Sequence, residues 1–285
     1  MEMFDFRRIA PSGELGRFVE SVWYARGFVS YRSEQVAPTG STVAAVVLGD
    51  PIRQHAANGE GDEFLATTGF LVGPHDQPMI NAPTGETYAV GIVTSTIGCL
   101  PLLGLVPAEF AASVVDLEAS WPPATLLRRH LLEQARGGAD PDELLADTEA
   151  FLIQQLDSRV PGLDRIERAV AMVEADPTRP ISEIADAIGL SHGHLDDEFS
   201  RLVGLRPRAL SRLLRVRRVL DELNGSDDGI VWAELAVRHG WYDQAHMNRD
   251  FKRHTGVSPT VYVNRRRIAY SGVDPQPGFV PEPPE

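Results

Sequence analysis

An internal repeat in the C-terminal part of the chain is the feature that most restricts its fold. The first copy begins at Ile181 and the second at Val231, and each reads as a short helix, a turn after glycine and a second helix with apolar residues four apart. Matching positions of the two copies are Ala185 and Ala236, Gly189 and Gly240, Leu195 and Met247, Phe199 and Phe251, Gly204 and Gly256, and Pro207 and Pro259. The repeat therefore predicts two helix-turn-helix units.

The second helix of each predicted unit is placed to read DNA. Ser191 and Asp243 suit the N-cap position of these helices. The N-terminal half of such a helix projects outward, where exposed side chains can reach base edges in a major groove.

A long helix is predicted between the two units, over residues 207–223. It would be about 25 Å long, which could hold two reading helices close to one DNA turn apart, about 34 Å. Any single arginine on it reads as a solvated charge, but the cluster predicts contact with phosphates. Its arginines are Arg208, Arg212, Arg215, Arg217 and Arg218.

Residues from about 163 to 267 resemble the DNA-binding domain of AraC/XylS-type transcription regulators. The resemblance is carried by "IADAIGLS", "FSRLVGLRP", "LLRVRRVLDEL" and above all "LAVRHGWYDQAHMNRDFKRHTGVSPTVY". It implies two helix-turn-helix units that bind adjacent major-groove segments of one duplex. It also implies an N-terminal domain that binds an effector or dimerises.

In the second unit, the resemblance places the base-contacting positions on Gln244, Ala245, Asn248 and Arg249. The chemistry fits, because glutamine and asparagine can pair with adenine and arginine with guanine, each for ~1–3 kcal/mol of discrimination.

Charged neighbours of these positions have mixed effects on DNA binding. Lys252 and Arg253 suit phosphates, whereas the carboxylates of Asp243 and Asp250 oppose DNA unless, like Asp243, they serve as a cap. His246 either touches DNA or pairs with Asp250 one turn on.

In the first unit, the corresponding positions fall on Gly193, Asp196 and Asp197, near His192 and Arg201. The family often has arginine or another long polar side chain there, so the acidic residues put direct reading by this unit in doubt. Three interpretations stay open. In the first, Asp196 or Asp197 accepts a hydrogen bond from cytosine N4. In the second, the unit braces the domain and contacts only the DNA backbone, through its helix ends and Arg201. Otherwise the acidic face meets another protein or the basic half of this chain.

The distribution of charge along the chain indicates a nucleic-acid-binding surface in one segment only. The chain carries a net charge of −13, which argues against indiscriminate binding to nucleic acid or membrane. Residues 206–270, by contrast, hold 13 basic and 7 acidic side chains. The single cysteine, Cys99, excludes an intrachain disulfide, and there is no apolar run long enough to span a membrane. A cytoplasmic location is expected.

The first hundred residues predict strands at 18–24, 41–48, 64–73 and 87–95, which suggests a small sandwich or barrel. Helices predicted at 122–135 and 140–156 would pack on it, or on a second subunit. Four aromatic residues are candidates for an effector pocket, with ordinary core packing as the alternative: Trp23, Tyr24, Tyr88 and Trp121.

The expected fold class is α+β. A β-rich, barrel-like regulatory domain with flanking helices (residues 1–157) precedes an all-α domain with two helix-turn-helix units joined by a linker helix (residues 163–267). The proline-rich tail, residues 271–285, is expected to be disordered.

Two other functional classes compete with a transcription regulator. One is a protein-interaction module whose first helix-turn-helix has lost contact with DNA. The other is a cupin-like metal enzyme, but residues 1–100 offer only His55 and His75 as imidazole ligands. His192 and His194, two apart on a helix, point about 200° apart and cannot share an ion.

The sequence thus predicts no catalytic residue, metal or cofactor. Double-stranded DNA is the predicted partner. A small-molecule effector, a second copy of the chain and RNA polymerase are further candidates.

Overall fold

The computed structural model describes residues 4–56, 63–224, 230–269 and 278–282. Its fold class is α+β, with the strands in the N-terminal part and a helical C-terminal part. Within these ranges, no helix combines the length and apolar character needed to cross a lipid bilayer.

The strands are β1 (Asp5–Ile9), β2 (Val19–Gly27), β3 (Ser33–Val36), β4 (Val43–Val47), β5 (Ile52–Ala56), β6 (Phe64–Ala66), β7 (Gly69–Val72), β8 (Met79–Pro83), β9 (Thr87–Thr94), β10 (Val114–Asp116) and β11 (Phe279–Glu282). The helices are α1 (Cys99–Leu103), α2 (Leu117–Ser120), α3 (Pro123–Gly137), α4 (Pro141–Gln155), α5 (Leu163–Ala175), α6 (Ile181–Ile188), α7 (His192–Val203), α8 (Pro207–Asn224), α9 (Trp232–Arg238), α10 (Gln244–Thr255) and α11 (Pro259–Ala269).

Two antiparallel sheets form the N-terminal part. The larger has the strand order β1-β2-β9-β4-β7-β10 and the smaller β11-β3-β8-β5-β6. They face each other as an open sandwich rather than a closed barrel, so "barrel-like" holds only loosely. The predicted strand 64–73 is divided into β6 and β7, which belong to different sheets.

The larger sheet is buried on both faces. One face packs on the smaller sheet through residues such as Ala45, Phe70 and Ala89. The other packs on α3 and α4 through residues such as Leu127 and Leu144. The two predicted amphipathic helices therefore pack on the core of their own domain.

Cys99 lies at the start of α1 and is 2 % exposed. Burial raises the pKa of its thiol to about 12, so Cys99 acts as a small core side chain.

Seven helices, α5 to α11, form the helical domain within the described residues. Its repeat is visible in the backbone, because Gly189, Gly204, Gly240 and Gly256 all end helices or turns in the left-handed conformation, with φ between 70° and 80°. This conformation carries no steric penalty for glycine, which explains why the two copies share glycine at these positions.

The caps and the core of the helix-turn-helix units agree with the sequence. The Ser191 side chain accepts a hydrogen bond from the His194 amide, and Asp243 accepts one from the His246 amide. Phe199 and Phe251 are fully buried at equivalent places in the two units.

The expectation of a disordered tail is wrong for residues 279–282. They form β11, which pairs with β3, and Val280 is fully buried in the core of the second unit. The Gly278 amide also donates to the Tyr262 hydroxyl, 3.0 Å away. The short apolar pair Phe279 and Val280 is enough to hold this strand against the core. Residues 271–277 and 283–285 lie outside the described residues.

Candidate nucleic-acid interface

The second reading helix, α10, presents its predicted contact residues on one outer face. Gln244, Ala245 and Arg249 are exposed, and His246 and Asn248 are half-buried. Met247 and Phe251 on the opposite face are fully buried and hold the helix against the domain. The side chains that the sequence selects for base contact can therefore be approached by a duplex.

Asp250 does not oppose DNA in the way its charge suggests. It is 8 % exposed, and its carboxylate accepts a hydrogen bond from the Trp241 indole N–H at 2.8 Å. His246 Nε2 lies 3.7 Å from the same carboxylate. Asp250 is thus a buried support that fixes the turn before α10 onto the helix itself.

We expect Asp250→Ala to lower the free energy of unfolding by about 1–3 kcal/mol, because the buried indole N–H of Trp241 loses its acceptor. Urea unfolding measures this effect. Asp197→Ala is the matched control, since Asp197 is exposed and should change stability by less than about 0.5 kcal/mol. Equal losses in the two variants would contradict a supporting role for Asp250.

The first reading helix, α7, keeps its acidic face. Asp197 is exposed and Asp196 half-buried, and within the described residues neither forms an ion pair. The third carboxylate, Glu198, binds Arg201 at 2.8 Å, and Arg201 also donates to the Pro161 carbonyl at 2.7 Å. Arg201 is therefore engaged with the segment that enters the helical domain, and a phosphate would have to compete for it.

A cleft of about 580 Å³ lies between the two units and connects their reading helices. His192, at the start of α7, borders it on one side, and His246, in the first turn of α10, on the other. Four arginines line it, together with the first residues of α6, and among the residues that the structure describes no acidic side chain lines it. The arginines are Arg179, Arg208, Arg212 and Arg215.

Helix starts add to the positive potential of this cleft. The N-terminal turns of α6, α7 and α10 all border it, and a helix N-terminus carries partial positive charge and free N–H groups. A phosphate backbone that runs between two major grooves would fit this combination of guanidinium groups and helix starts.

Arg215 is the most firmly placed of these arginines. Its guanidinium lies 5.1 Å from the centre of the Trp241 ring, and Nη1 donates to the Gly240 carbonyl. Burial lowers its pKa, as does Arg212, while Asp250 raises it. Since arginine stays charged in proteins, this side chain contributes a fixed positive charge at the base of the cleft.

The other two arginines of α8 face away from the cleft. Arg217 donates to the Thr39 carbonyl and to Glu20 in the N-terminal part. Arg218 donates to the carbonyl of Ala175 at 2.9 Å, at the end of α5. The predicted five-arginine phosphate cluster is thus divided: the side chains of Arg208, Arg212 and Arg215 reach the cleft, and Arg217 and Arg218 join structural elements.

Three of the four aromatic residues predicted for an effector pocket, Tyr24, Tyr88 and Trp121, lie in one core cluster, and Trp23 lies on the other face of the larger sheet. Trp23 and Tyr24 are neighbours on β2 and so point to opposite faces of the sheet. Tyr24 and Trp121 are buried in the core beneath α3 and α4, while Trp23 covers Gly91 on the side of the smaller sheet. Tyr88 packs edge-on against Tyr24, with ring centres 5.8 Å apart.

A chain of polar side chains crosses the inner face of the smaller sheet. Gln54 donates to Asn81 at 2.6 Å, and Asn81 donates to Glu34 at 2.9 Å. Gln54 and Glu34 are 3 % and 5 % exposed. They lie on the same face as Ile52 and Met79, which pack against the larger sheet.

Residues that hold a metal ion through three or more His, Cys, Asp or Glu side chains do not come together in the described parts of the chain. His75 lies at the contact with the helical domain, far along the chain from His55 and on a different element.

Sequence reasoning missed two residues of this interface. Arg179 follows α5 in a turn that sequence alone does not place near α8. Tyr242, directly before the cap of α10, is 91 % exposed. The place of Arg179 at the cleft follows from the packing of the two units, whereas the exposure of Tyr242 is a local feature of the turn before α10.

The helical part matches a known family. Residues 165–265 match a helix-turn-helix domain family, and residues 7–116 match a domain family of unknown function, DUF6597. No curated protein matches the chain.

Several solved structures are similar to the chain. ToxT from Vibrio cholerae O395 is 12% identical over 95% of this chain and 99% of that chain, with a TM-score of 0.48. Wild-type ToxT from strain SCE256, bound to an unsaturated fatty acid, is 12% identical over 96% and 98%, with a TM-score of 0.49. A probable AraC family transcriptional regulator from Rhodopseudomonas palustris CGA009 is 21% identical over 36% of this chain and 96% of that chain, with a TM-score of 0.33.

Proposed function

We propose that this chain, whose residues 165–265 form a helix-turn-helix domain of the AraC type, is a transcription regulator that binds double-stranded DNA at specific sequences. The observation that carries the proposal is the cleft between the units. It joins the starts of both reading helices through four arginines, and no carboxylate belongs to the lining formed by the described part of the chain.

Each part of this surface has a separate task. The cleft holds the phosphate backbone and sets the position of the domain, while the exposed face of α10 reads bases through Gln244, Asn248 and Arg249. Lys252, exposed on the next turn of α10, suits a neighbouring phosphate.

In our proposal, the first unit mainly positions the helical domain on the DNA. Its acidic face does not meet the basic half of the chain in the described residues, so the remaining choices are bracing, reading of cytosine, or contact with another protein. Bracing is favoured because Arg201 and Glu198 tie α7 to the entry of the domain.

We expect Asp197→Arg to tighten binding to most duplexes alike, because it removes one repulsion and adds one phosphate partner. In a gel-shift titration over several salt concentrations, the slope of log K against log salt should become steeper by about 1. Glu133→Arg, the same charge change on the exposed side of α3, is the matched control and should leave both quantities unchanged. Loss of specific binding in Asp197→Arg would instead favour reading of cytosine by this residue.

A gel-shift titration against a pool of random duplexes tests the function itself. Sequence-specific binding that weakens steeply with salt supports the regulator. Binding to no duplex supports the alternative of a protein-interaction module with a degenerate first unit.

We also propose that a small molecule controls DNA binding through the N-terminal domain. Tyr24 and Trp121 are buried as core side chains, so we propose the polar chain Gln54–Asn81–Glu34 between the sheets as the place for an effector. Its side chains suit a small ligand with hydrogen-bonding groups. A second copy of the chain and RNA polymerase stay predicted partners.

A further inference from the structure

One short segment of the N-terminal domain touches the ends of both reading helices. We call residues 73–78, between β7 and β8, the bridging segment. Its Pro74 lies against Gly204, which ends α7, and its Pro78 lies against Gly256, which ends α10. A Cβ atom built on Gly204 would come within 2.8 Å of Pro74. The backbones therefore approach closely enough that the segment limits where each helix can lie.

The contact with α10 is both charged and buried. Asp76 binds Arg253 with Oδ2–Nη2 and Oδ2–Nε distances of 2.7 and 3.1 Å. Beside this ion pair lie two histidines, His75 of the bridging segment and His254 of α10, which are 7 % and 2 % exposed. Arg253 is also a predicted phosphate contact, so the bridging segment holds a side chain that DNA would use.

In their neutral form, the two imidazoles carry unused acceptor atoms. His75 Nδ1 lies 2.8 Å from the Gly73 carbonyl, and His254 Nδ1 lies 2.7 Å from the Asp250 carbonyl. A carbonyl only accepts, so each Nδ1 carries the proton and each Nε2 is a bare acceptor. Both Nε2 atoms are buried, and neither has a hydrogen-bond partner among the described residues.

Protonation of either ring would place a charged N–H where the structure provides no acceptor. Burial lowers the pKa of both histidines, and their surroundings only partly oppose this. Asp76 faces both rings and favours the charged form, as does Asp250 for His254. The partner imidazole disfavours it for His75, and Arg253 disfavours it for His254.

We propose that the bridging segment is a latch on the second reading unit that is held by neutral His75 and His254 and opens when they are protonated. Opening releases Arg253 from Asp76 and frees the C-terminal end of α10. Opening concerns residues 75–78, whereas Pro74 keeps its contact with Gly204 at the end of α7, which it shares with Pro107. This inference does not depend on the proposed function, because it concerns a contact within the chain.

The direction of the pH effect follows from the two states of the latch. In the open latch the histidines titrate near their ordinary pKa of about 6.5, and in the closed latch at a lower pH. Above about pH 6.5 both states are neutral and the latch has its full stability. As the pH falls below this value, the histidines of the open state bind protons while those of the closed state stay neutral. The equilibrium between the closed and open states therefore shifts toward the open state by about tenfold per pH unit for each histidine.

Hydrogen–deuterium exchange of the full chain at pH 7.5 and 5.5, corrected for the intrinsic effect of pH on exchange, tests the latch without DNA. We expect residues 75–78 and 250–258 to lose protection at pH 5.5 by about tenfold or more, while residues 104–110 beside α7 keep theirs. Unchanged protection of residues 75–78 and 250–258 would overturn the proposal.

Two variants identify the groups that titrate. The double variant His75→Gln/His254→Gln should show the same protection at both pH values, whether its latch is closed or open, because nothing in it titrates in this range. His130→Gln is the matched control: His130 pairs with Asp147 between α3 and α4, and this variant should keep the pH dependence of the wild type. A double variant with the wild-type pH dependence would also overturn the proposal.

A separate binding measurement keeps the two proposals apart. Failure of every variant and of the wild type to bind any duplex would contradict the proposed function and leave the latch result standing. Specific DNA binding with unchanged exchange would do the reverse.

Discussion

Phe251→Ala should lower the free energy of unfolding of the helical domain by about 3–5 kcal/mol, the largest effect we expect of a single substitution. Phe251 is fully buried, and its ring packs edge-on against Tyr262 with ring centres 5.5 Å apart. Its removal leaves a cavity beneath the middle of α10, where this helix packs on α11.

Urea unfolding followed by circular dichroism measures this loss. Phe199→Ala, at the equivalent place in the first unit and equally buried, should cost a similar amount. Phe28→Ala is the control, because Phe28 is 57 % exposed and its loss should change stability by less than about 0.5 kcal/mol. A loss below about 1 kcal/mol in Phe251→Ala would contradict the role of this ring as the support of the second reading helix.

Arg249→Ala should weaken binding to a selected DNA site by about 1–3 kcal/mol, or about 5- to 150-fold, and relax the preference at one base pair. Arg249 is exposed on the outer face of α10, and the described residues include no ion pair that would hold it away from DNA. Titration of wild type and variant against the selected site and its single-base variants gives both quantities.

Two further variants separate base reading from charge. Arg249→Lys keeps the positive charge but loses the planar fork that binds guanine, so it should keep binding to unrelated duplexes and lose the preference at one base pair. Arg136→Ala removes an exposed arginine from the end of α3 and should change nothing. If Arg249→Ala binds its site as the wild type does, the assignment of base-contacting positions on α10 is wrong.

The helical domain could be predicted from the sequence because its signals are local. The repeat, the caps at Ser191 and Asp243, and the glycines that end helices each act within a few residues. The linker helix α8 has 18 residues, one more than expected, and is about 27 Å long.

Contacts between distant segments could not be predicted in this way. Arg217 and Arg201 look like phosphate ligands in the sequence. The partner of Arg217, Glu20, is brought to it by the packing of the two domains, and the partner of Arg201, Pro161, by the packing of α7 on the entry of the helical domain. The sequence did not predict the strands β3, β5 and β8, because polar residues such as Glu34 and Gln54 face the core there. The usual alternation of strands places apolar side chains on that face. The opposite directions of Trp23 and Tyr24, however, follow from strand geometry and were within reach of the sequence.

The central claim is that the arginine cleft and the outer face of α10 bind DNA at a specific sequence. Its most direct test selects binding sites from random duplexes and then titrates the selected duplex at 50 and 200 mM salt. We predict that one sequence is enriched, with a single read segment or two segments one turn apart, and that four cleft arginines make its affinity fall by roughly 100-fold between the two salt concentrations. Absence of any enriched sequence, or an affinity that does not change with salt, would contradict the account.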